Sequence, residues 1–290
     1  MREFELIAGL TRRFGATTSA GCLLTGIGDD GAVTALPPGH QLVSSIDSLL
    51  VGTHFPNDSP GAMVGYRALM VSLSDLAAMG AEPLFVLLAL NLPASTESWA
   101  LDFADGAREA CEATGAKIAG GNLTRGPLAV TVSVHGSVPA GTAVLRNGAR
   151  TGDYVYVSGH LGGAAAALRT GFASSALSDR FWRPRARVEL APVLRQMANA
   201  AIDISDGLLQ DLGHLVRASG CGAELDSARL PVFPGATPDD AWYGGDDYEL
   251  CFTAATPPPF PAWCIGRIVA EPGVRLDGQP PTRAGFDHFG

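Results

Sequence analysis

Two carboxylates stand side by side in GIGDDG, residues 26–31. The stretch fits G-x-G-x-x-G, the pattern of a dinucleotide-binding turn, yet Asp29 and Asp30 occupy the place a pyrophosphate would take. Such a turn needs a strand before it and a helix directly after it. The residues that follow are AVTALPPGHQLV, and Pro37, Pro38 and Gly39 forbid a helix of useful length. Two carboxylates beside a pyrophosphate would also repel it. An isolated Asp-Asp pair would by default be a solvated surface turn.

The pair is not isolated. Asp47, in LVSSIDSLLVGTHF, is the only formal charge between Asp30 and Asp58. Asp75, in ALMVSLSDLAAMGAE, is the only one between Arg67 and Glu82. Asp203 follows an apolar run in NAAIDISDGLL, with Asp206 three residues on. A charge inside an apolar segment is costly unless it is paired or ligates a metal. One such acid could be a helix cap, and Asp206 before Gly207 fits that role. Several, with few basic residues nearby, point to a shared cation. Carboxylates without His or Cys favour magnesium, manganese or calcium over zinc. An acidic magnesium site usually holds phosphates. A chain of net charge −9 can bind ATP in that way, with metal ions bridging the two anions.

Composition removes other classes. Lys117 is the only lysine, so a basic nucleic-acid surface is not expected, and no G-K-[ST] loop exists. The five cysteines are scattered, with no C-x-x-C pair, and read as buried reduced thiols of a cytosolic protein. MREFELIAGLTRRF is no signal peptide, and the longest apolar run, residues 84–90, is too short to span a bilayer. A soluble, cytoplasmic protein is expected.

These acids must be carried by ordered elements. Apolar spacing predicts helices over 3–14, 62–79, 97–114, 188–199 and 208–219, and an alanine-rich helix after the glycine turn that follows YVYVSGHLGG. Strands are predicted over 41–51, PLFVLLALNLP, 117–123, 128–138, YVYV, 201–204, YELCFTA and 264–269. Turn residues cluster in NGARTGD, residues 147–153, and the pattern restarts there. Two domains are expected, 1–147 and 148–290, with mixed helix and sheet in each: α+β, or mixed α/β.

The motifs GIGDDGAV, SSIDSLLVGTHF, SLSDLAAMGAEP, GGNLTRGP, VSGHLGGA, AIDISDGLLQDLGHL, GGDDYELCFT and GFDHF occur in this order. Together they resemble the thiamine-monophosphate kinases, a family within the superfamily of aminoimidazole ribonucleotide synthetase, and the match runs nearly end to end. The resemblance implies an N-terminal domain whose sheet pairs across a homodimer, and a C-terminal α+β domain that completes the active site. It implies transfer of the γ-phosphoryl of ATP to thiamine monophosphate. By resemblance, several magnesium ions are held by Asp30, Asp47, Asp75, Asp203 and Asp206, with Ser45, Ile46 and Asn122. ATP contacts match Gly121, Asn122, Arg146 and Ser205. Substrate contacts match His54, Asp246 and Phe286. No general base is implied, and none is needed: a phosphate monoester is already ionised at neutral pH. Without the resemblance, Arg146 reads as a surface arginine, His54 as a strand-end histidine, Phe286 as core, and the glycines at 120–121 as packing.

The chain departs from the family at Asn122, where GGD is usual, at Asp246, where GGED is common, and at Ile46, often a hydroxyl residue. Isoleucine there could ligate only through its carbonyl. TPPPFP replaces a longer segment. Rival readings are another ATP-using member of the superfamily, such as the purine cyclo-ligase, or a non-catalytic protein that binds thiamine phosphates. A selenide-activating relative needs a reactive Cys in a glycine-rich loop, and a hydrogenase-maturation relative a terminal Cys; neither is present.

Overall fold

The computed structural model describes residues 3–19, 21–283 and 285–286. Asp287, His288 and Phe289 of the terminal motif lie outside them. The chain forms two compact units, one of residues 1–76 and 81–141, the other of residues 77–80 and 142–290.

The first unit runs α1 (Glu3–Phe14), β1 (Leu23–Thr25), β2 (Val33–Thr34), β3 (His40–Leu50), α2 (Gly61–Ala78), β4 (Glu82–Leu92), α3 (Glu97–Thr114), β5 (Lys117–Arg125) and β6 (Ala129–Pro139). β3, β6, β4 and β5 form a mixed sheet in that order, with β4 and β5 parallel. Along β3 the side chains alternate. Val43 and Leu49 are buried and Ser45 and Asp47 half-buried, while Leu42, Ser44, Ile46, Ser48 and Leu50 are exposed. Period two therefore puts Asp47 and Ser45 on the covered face and Ile46 on the opposite one.

α2 is apolar nearly all round, and Val64, Leu69, Leu73 and Leu76 are fully buried. It meets α3 backbone to backbone. A Cβ on Gly65 would lie 2.1 Å from the Phe103 carbonyl oxygen, and one on Gly106 would lie 1.8 Å from that of Ala62. Only glycine allows this approach. Gly65→Ala is expected to lower stability by roughly 1–3 kcal/mol, read as a lower urea midpoint with an unchanged slope.

The second unit runs β7 (Tyr154–Val157), α4 (Gly163–Arg169), α5 (Ser175–Trp182), α6 (Ala191–Met197), β8 (Ala200–Asp203), α7 (Leu208–Ser219), β9 (Gly222–Leu225), α8 (Pro238–Tyr243), β10 (Leu250–Ala254), β11 (Trp263–Val269) and β12 (Gly273–Leu276). Its sheet has the order β12-β9-β11-β7-β10-β8. α7 and α8 bury Leu208, Leu212, Leu215 and Trp242 with Val155, Val157, Ile202 and Ile265 of the sheet. Tyr156, Phe252 and Ala201 belong to a separate cluster with Leu194 of α6. The fold is the expected mixture of helix and sheet.

Two expected elements differ. The helix predicted over 188–199 is a short 3₁₀ turn at Val188–Leu190 followed by α6. Pro192 has no N–H to give to the carbonyl of residue 188, so an α-helix cannot run through. The strand predicted from Tyr248 begins only at Leu250, because Asp246 and Tyr248 take left-handed backbone, with φ of 68° and 50°. α5, α8, β9 and β12 carry no clear periodicity in the sequence.

Candidate functional site

In the first unit the turn at Asp29–Asp30 leads to no helix: residues 33–34 are strand and β3 starts at His40. The dinucleotide reading of GIGDDG therefore fails on structure as it does on sequence. The two acids divide their work. Asp29 Oδ1 accepts the Asp30 backbone N–H at 2.9 Å and so braces the turn. The Asp30 side chain is exposed.

Asp47 on β3 and Asp75 on α2 face each other. Ser45 Oγ donates to Asp75 Oδ2 at 2.5 Å. Burial, and then the charge of Asp75, push Asp47 up from 3.8 to about 6, against a hydrogen bond from Ser72. Among the described residues neither acid forms an ion pair. Two adjacent, half-buried carboxylates and a hydroxyl, with no cationic side chain between them, suit a hard divalent cation. Among the described residues no group of three or more His, Cys, Asp or Glu side chains is clustered closely enough to hold a metal by itself. Any bound ion must complete its shell with carbonyls, water or substrate oxygens, as magnesium ordinarily does.

A groove of about 1080 Å³ in this unit brings Asp30, Ile46, Gly121 and Asn122 onto one wall system, with Phe85 and His135 beside them. Asn122 is exposed. At Gly121 a Cβ would lie 1.9 Å from the Leu88 carbonyl oxygen of β4, so this glycine is required by strand packing whatever else it does. His54 Nδ1 accepts the Leu50 N–H at 3.0 Å. That bond fixes the neutral ring as the Nε2–H tautomer.

In the second unit five of the expected residues gather around the loop between β8 and α7. Asp203, buried, ends β8 opposite Leu250. Ser205 and Asp206 follow. The Asp246 N–H donates to the Ser205 carbonyl at 2.9 Å, and the Phe286 N–H to the Asp206 carbonyl at 3.0 Å. Gln210 Nε2 donates to the Phe286 carbonyl at 2.7 Å. Asp206 is not the helix cap that its position before Gly207 suggested: the N-cap is Gly207, and no side chain caps from there.

Arg146 is exposed, and its main chain is held by Ser219 Oγ at 2.8 Å. Tyr248 Oη donates to Asp246 Oδ1 at 3.1 Å. Between and beyond these outward residues, Asp247 and Glu249 are buried. Asp247 Oδ2 accepts the Gly162 N–H at 2.7 Å, and burial pushes its pKa up to about 8. Sequence reasoning passed over Ser72, Gln210, Tyr248 and Asp211. Only Asp211, an acid one turn into α7 on its buried face, had a signal that could have been read.

Comparison with known proteins follows this division. Residues 28–138 match the N-terminal domain of AIR synthase related proteins, and residues 150–279 match their C-terminal domain. Fold and site thus define a two-domain protein of the AIR synthase related class. Within it the chain belongs to the thiamine-monophosphate kinase family. It is 41% identical to thiamine-monophosphate kinase of Escherichia coli K12 over 321 aligned positions, covering 99% of this chain and 98% of that one. The crystal structure of thiamine-monophosphate kinase from Stenotrophomonas maltophilia is similar with 39% identity and a TM-score of 0.87, over 97% of this chain and 98% of that one. AaThiL complexed with AMPPCP and TMP is similar with 32% identity and a TM-score of 0.83, over 100% and 99%.

Proposed function

We propose that this chain transfers the γ-phosphoryl of ATP to thiamine monophosphate, giving thiamine diphosphate and ADP. Family membership over the whole length supports the reaction. The observation that carries it is the Asp47–Asp75 pair, two acids near enough for the charge of Asp75 to raise Asp47, at positions expected to hold magnesium and left without a basic partner among the described residues. Asp30, Asp47, Asp75, Asp203 and Asp206 would hold magnesium, with Ser45, Asn122 and the carbonyl of Ile46. Bound there, the metal supplies charge neutralisation at the transferred phosphoryl group. Gly121, Asn122, Arg146 and Ser205 are assigned to ATP, where the Arg146 guanidinium can fork onto phosphate oxygens. His54, Asp246 and Phe286 are assigned to thiamine monophosphate, with Phe286 as an aromatic wall for its rings. The acceptor oxygen is already ionised, so these residues need only orient it.

A homodimer is proposed from the exposed apolar face of the first unit's sheet. Leu42, Ile46, Leu50 and Leu87 are 48, 64, 47 and 36% exposed on it. No helix among the described residues is long and apolar enough to cross a membrane, and a cytoplasmic ATP-using enzyme is the reading adopted. Residues 1–147 are proposed to bind metal and ATP and residues 148–290 to complete the active site, although the compact units divide near residue 141. Purified protein with ATP, Mg²⁺ and thiamine monophosphate should yield thiamine diphosphate by chromatography. Tight ATP binding with no product would instead favour the non-catalytic reading.

A further inference from the structure

We infer that Asp211 is a positioning residue for phosphoryl transfer, acting by shaping the loop that carries Ser205 and Asp206. The inference rests on the kinase reading above. Asp211 lies one turn inside α7 and is 3% exposed. Helical side chains lean toward the N-terminus, which aims this one back at the loop. Its Oδ2 accepts three consecutive backbone N–H groups: Ser205 at 3.0 Å, Asp206 at 3.0 Å and Gly207 at 3.1 Å.

The amides at and before a helix start ordinarily find a Ser, Thr, Asp or Asn at the N-cap. Here the N-cap is Gly207 and the acceptor comes from inside the helix. The arrangement has a chemical consequence. With their amides satisfied from below, Ser205 and Asp206 are not spent on capping. Among the described residues the Ser205 hydroxyl and the Asp206 carboxylate make no hydrogen bond. Convergence on a single oxygen also fixes three successive peptide planes, and with them the directions of these side chains. Preorganisation of this kind is what phosphoryl transfer, a reaction of positioning, depends on.

Asp246 and Phe286 bond the same loop through the Ser205 and Asp206 carbonyls, but Asp247 and Glu249 also anchor the Asp246 segment from both sides of Tyr248. The substrate side should therefore feel a loosened loop less than the nucleotide side does. At pH 8, Asp211→Ala is expected to raise KM for ATP by about ten-fold or more and to raise the Mg²⁺ needed for half activity. KM for thiamine monophosphate should change less than three-fold. Asp211→Asn keeps one acceptor oxygen but loses the charge shared by the three N–H groups, and should leave KM for ATP raised about three-fold.

A purely structural residue would behave otherwise: loss of folded protein lowers kcat and leaves both KM values in place. That result, or an equal rise in both KM values, overturns the inference. If Asp211→Ala does not fold, Asp211→Asn against wild type decides: unchanged KM for ATP and unchanged Mg²⁺ requirement overturn it. Failure of the kinase reading is separate, because it shows in the wild type. Calorimetric binding of AMPPCP with Mg²⁺ then serves as the readout, and equal affinity in wild type and Asp211→Asn overturns the inference.

Discussion

Asp75→Asn should abolish turnover while leaving the chain folded. The substitution keeps an oxygen to accept the Ser45 hydroxyl bond and removes the charge that, after burial, raises Asp47. Residues behind a metal ligand typically cost 10–100-fold when altered, so a ligand itself should cost more than about a hundred-fold in kcat. Stability should move the other way in metal-free buffer, where the wild type holds two repelling carboxylates with no ion pair to either. The sign follows from Asp47. Its pKa rises on folding, from 3.8 to about 6, so the native state binds its proton more tightly than the unfolded chain does. Metal-free wild type therefore loses stability as pH climbs from about 4 through 6, and the loss is complete above that. Mg²⁺ should raise the Tm of wild type little at pH 5 and substantially at pH 8. In Asp75→Asn the pH dependence should weaken, keeping the part that burial causes, and the Mg²⁺ effect should shrink. Wild-type turnover in the variant would refute the assignment, as would a Tm response to Mg²⁺ equal to that of wild type.

The sequence made this pair legible because each acid stood alone in a long apolar stretch, where a charge is costly, and because several such acids recurred with few basic residues nearby. It also placed β3, α2, α3 and α7 within a residue or so, since each has clean periodicity and a glycine or turn at its ends. What it hid was local and three-dimensional. Nothing in the period-two pattern told that Asp47 and Ile46 differ in face relative to α2, rather than merely from each other. Nothing told that an acid in the first turns of α7 would replace the N-cap, because caps are sought on the other side of the boundary. The segment GGDDYEL was the least legible. Its left-handed residues are an aspartate and a tyrosine rather than the glycines before them, so the strand appeared to begin two residues early. Its three acids and one tyrosine could not be sorted into those facing out and those buried.

That sorting leads to the second large effect, in stability rather than in rate. Glu249 is 1% exposed, and its carboxylate is met on both oxygens. Arg187 Nε and Nη2 form two bonds at 2.7 Å, Arg180 Nη2 adds one at 3.1 Å, and Ser158 Oγ another at 2.6 Å. Burial opposes its charge, but the bonds and charges of Arg187 and Arg180 win, and its pKa ends lowered. Removing the acid leaves two largely buried guanidinium groups without their partner. Breaking a buried pair from one side costs roughly 3–5 kcal/mol. Glu249→Ala should therefore lose that much in urea unfolding, whereas Asp246→Asn, on the outward side of the same segment, should lose little stability. Linkage gives a second signature. A depressed carboxylate stabilises fully above its unfolded value of 4.5 and is lost only as pH falls through the lower folded value. Acid unfolding of the wild type should be held off to lower pH than that of Glu249→Gln. If Glu249→Gln instead unfolds like wild type but loses affinity for thiamine monophosphate, the acid faces the chemistry and Asp246 is not the outward residue of the motif.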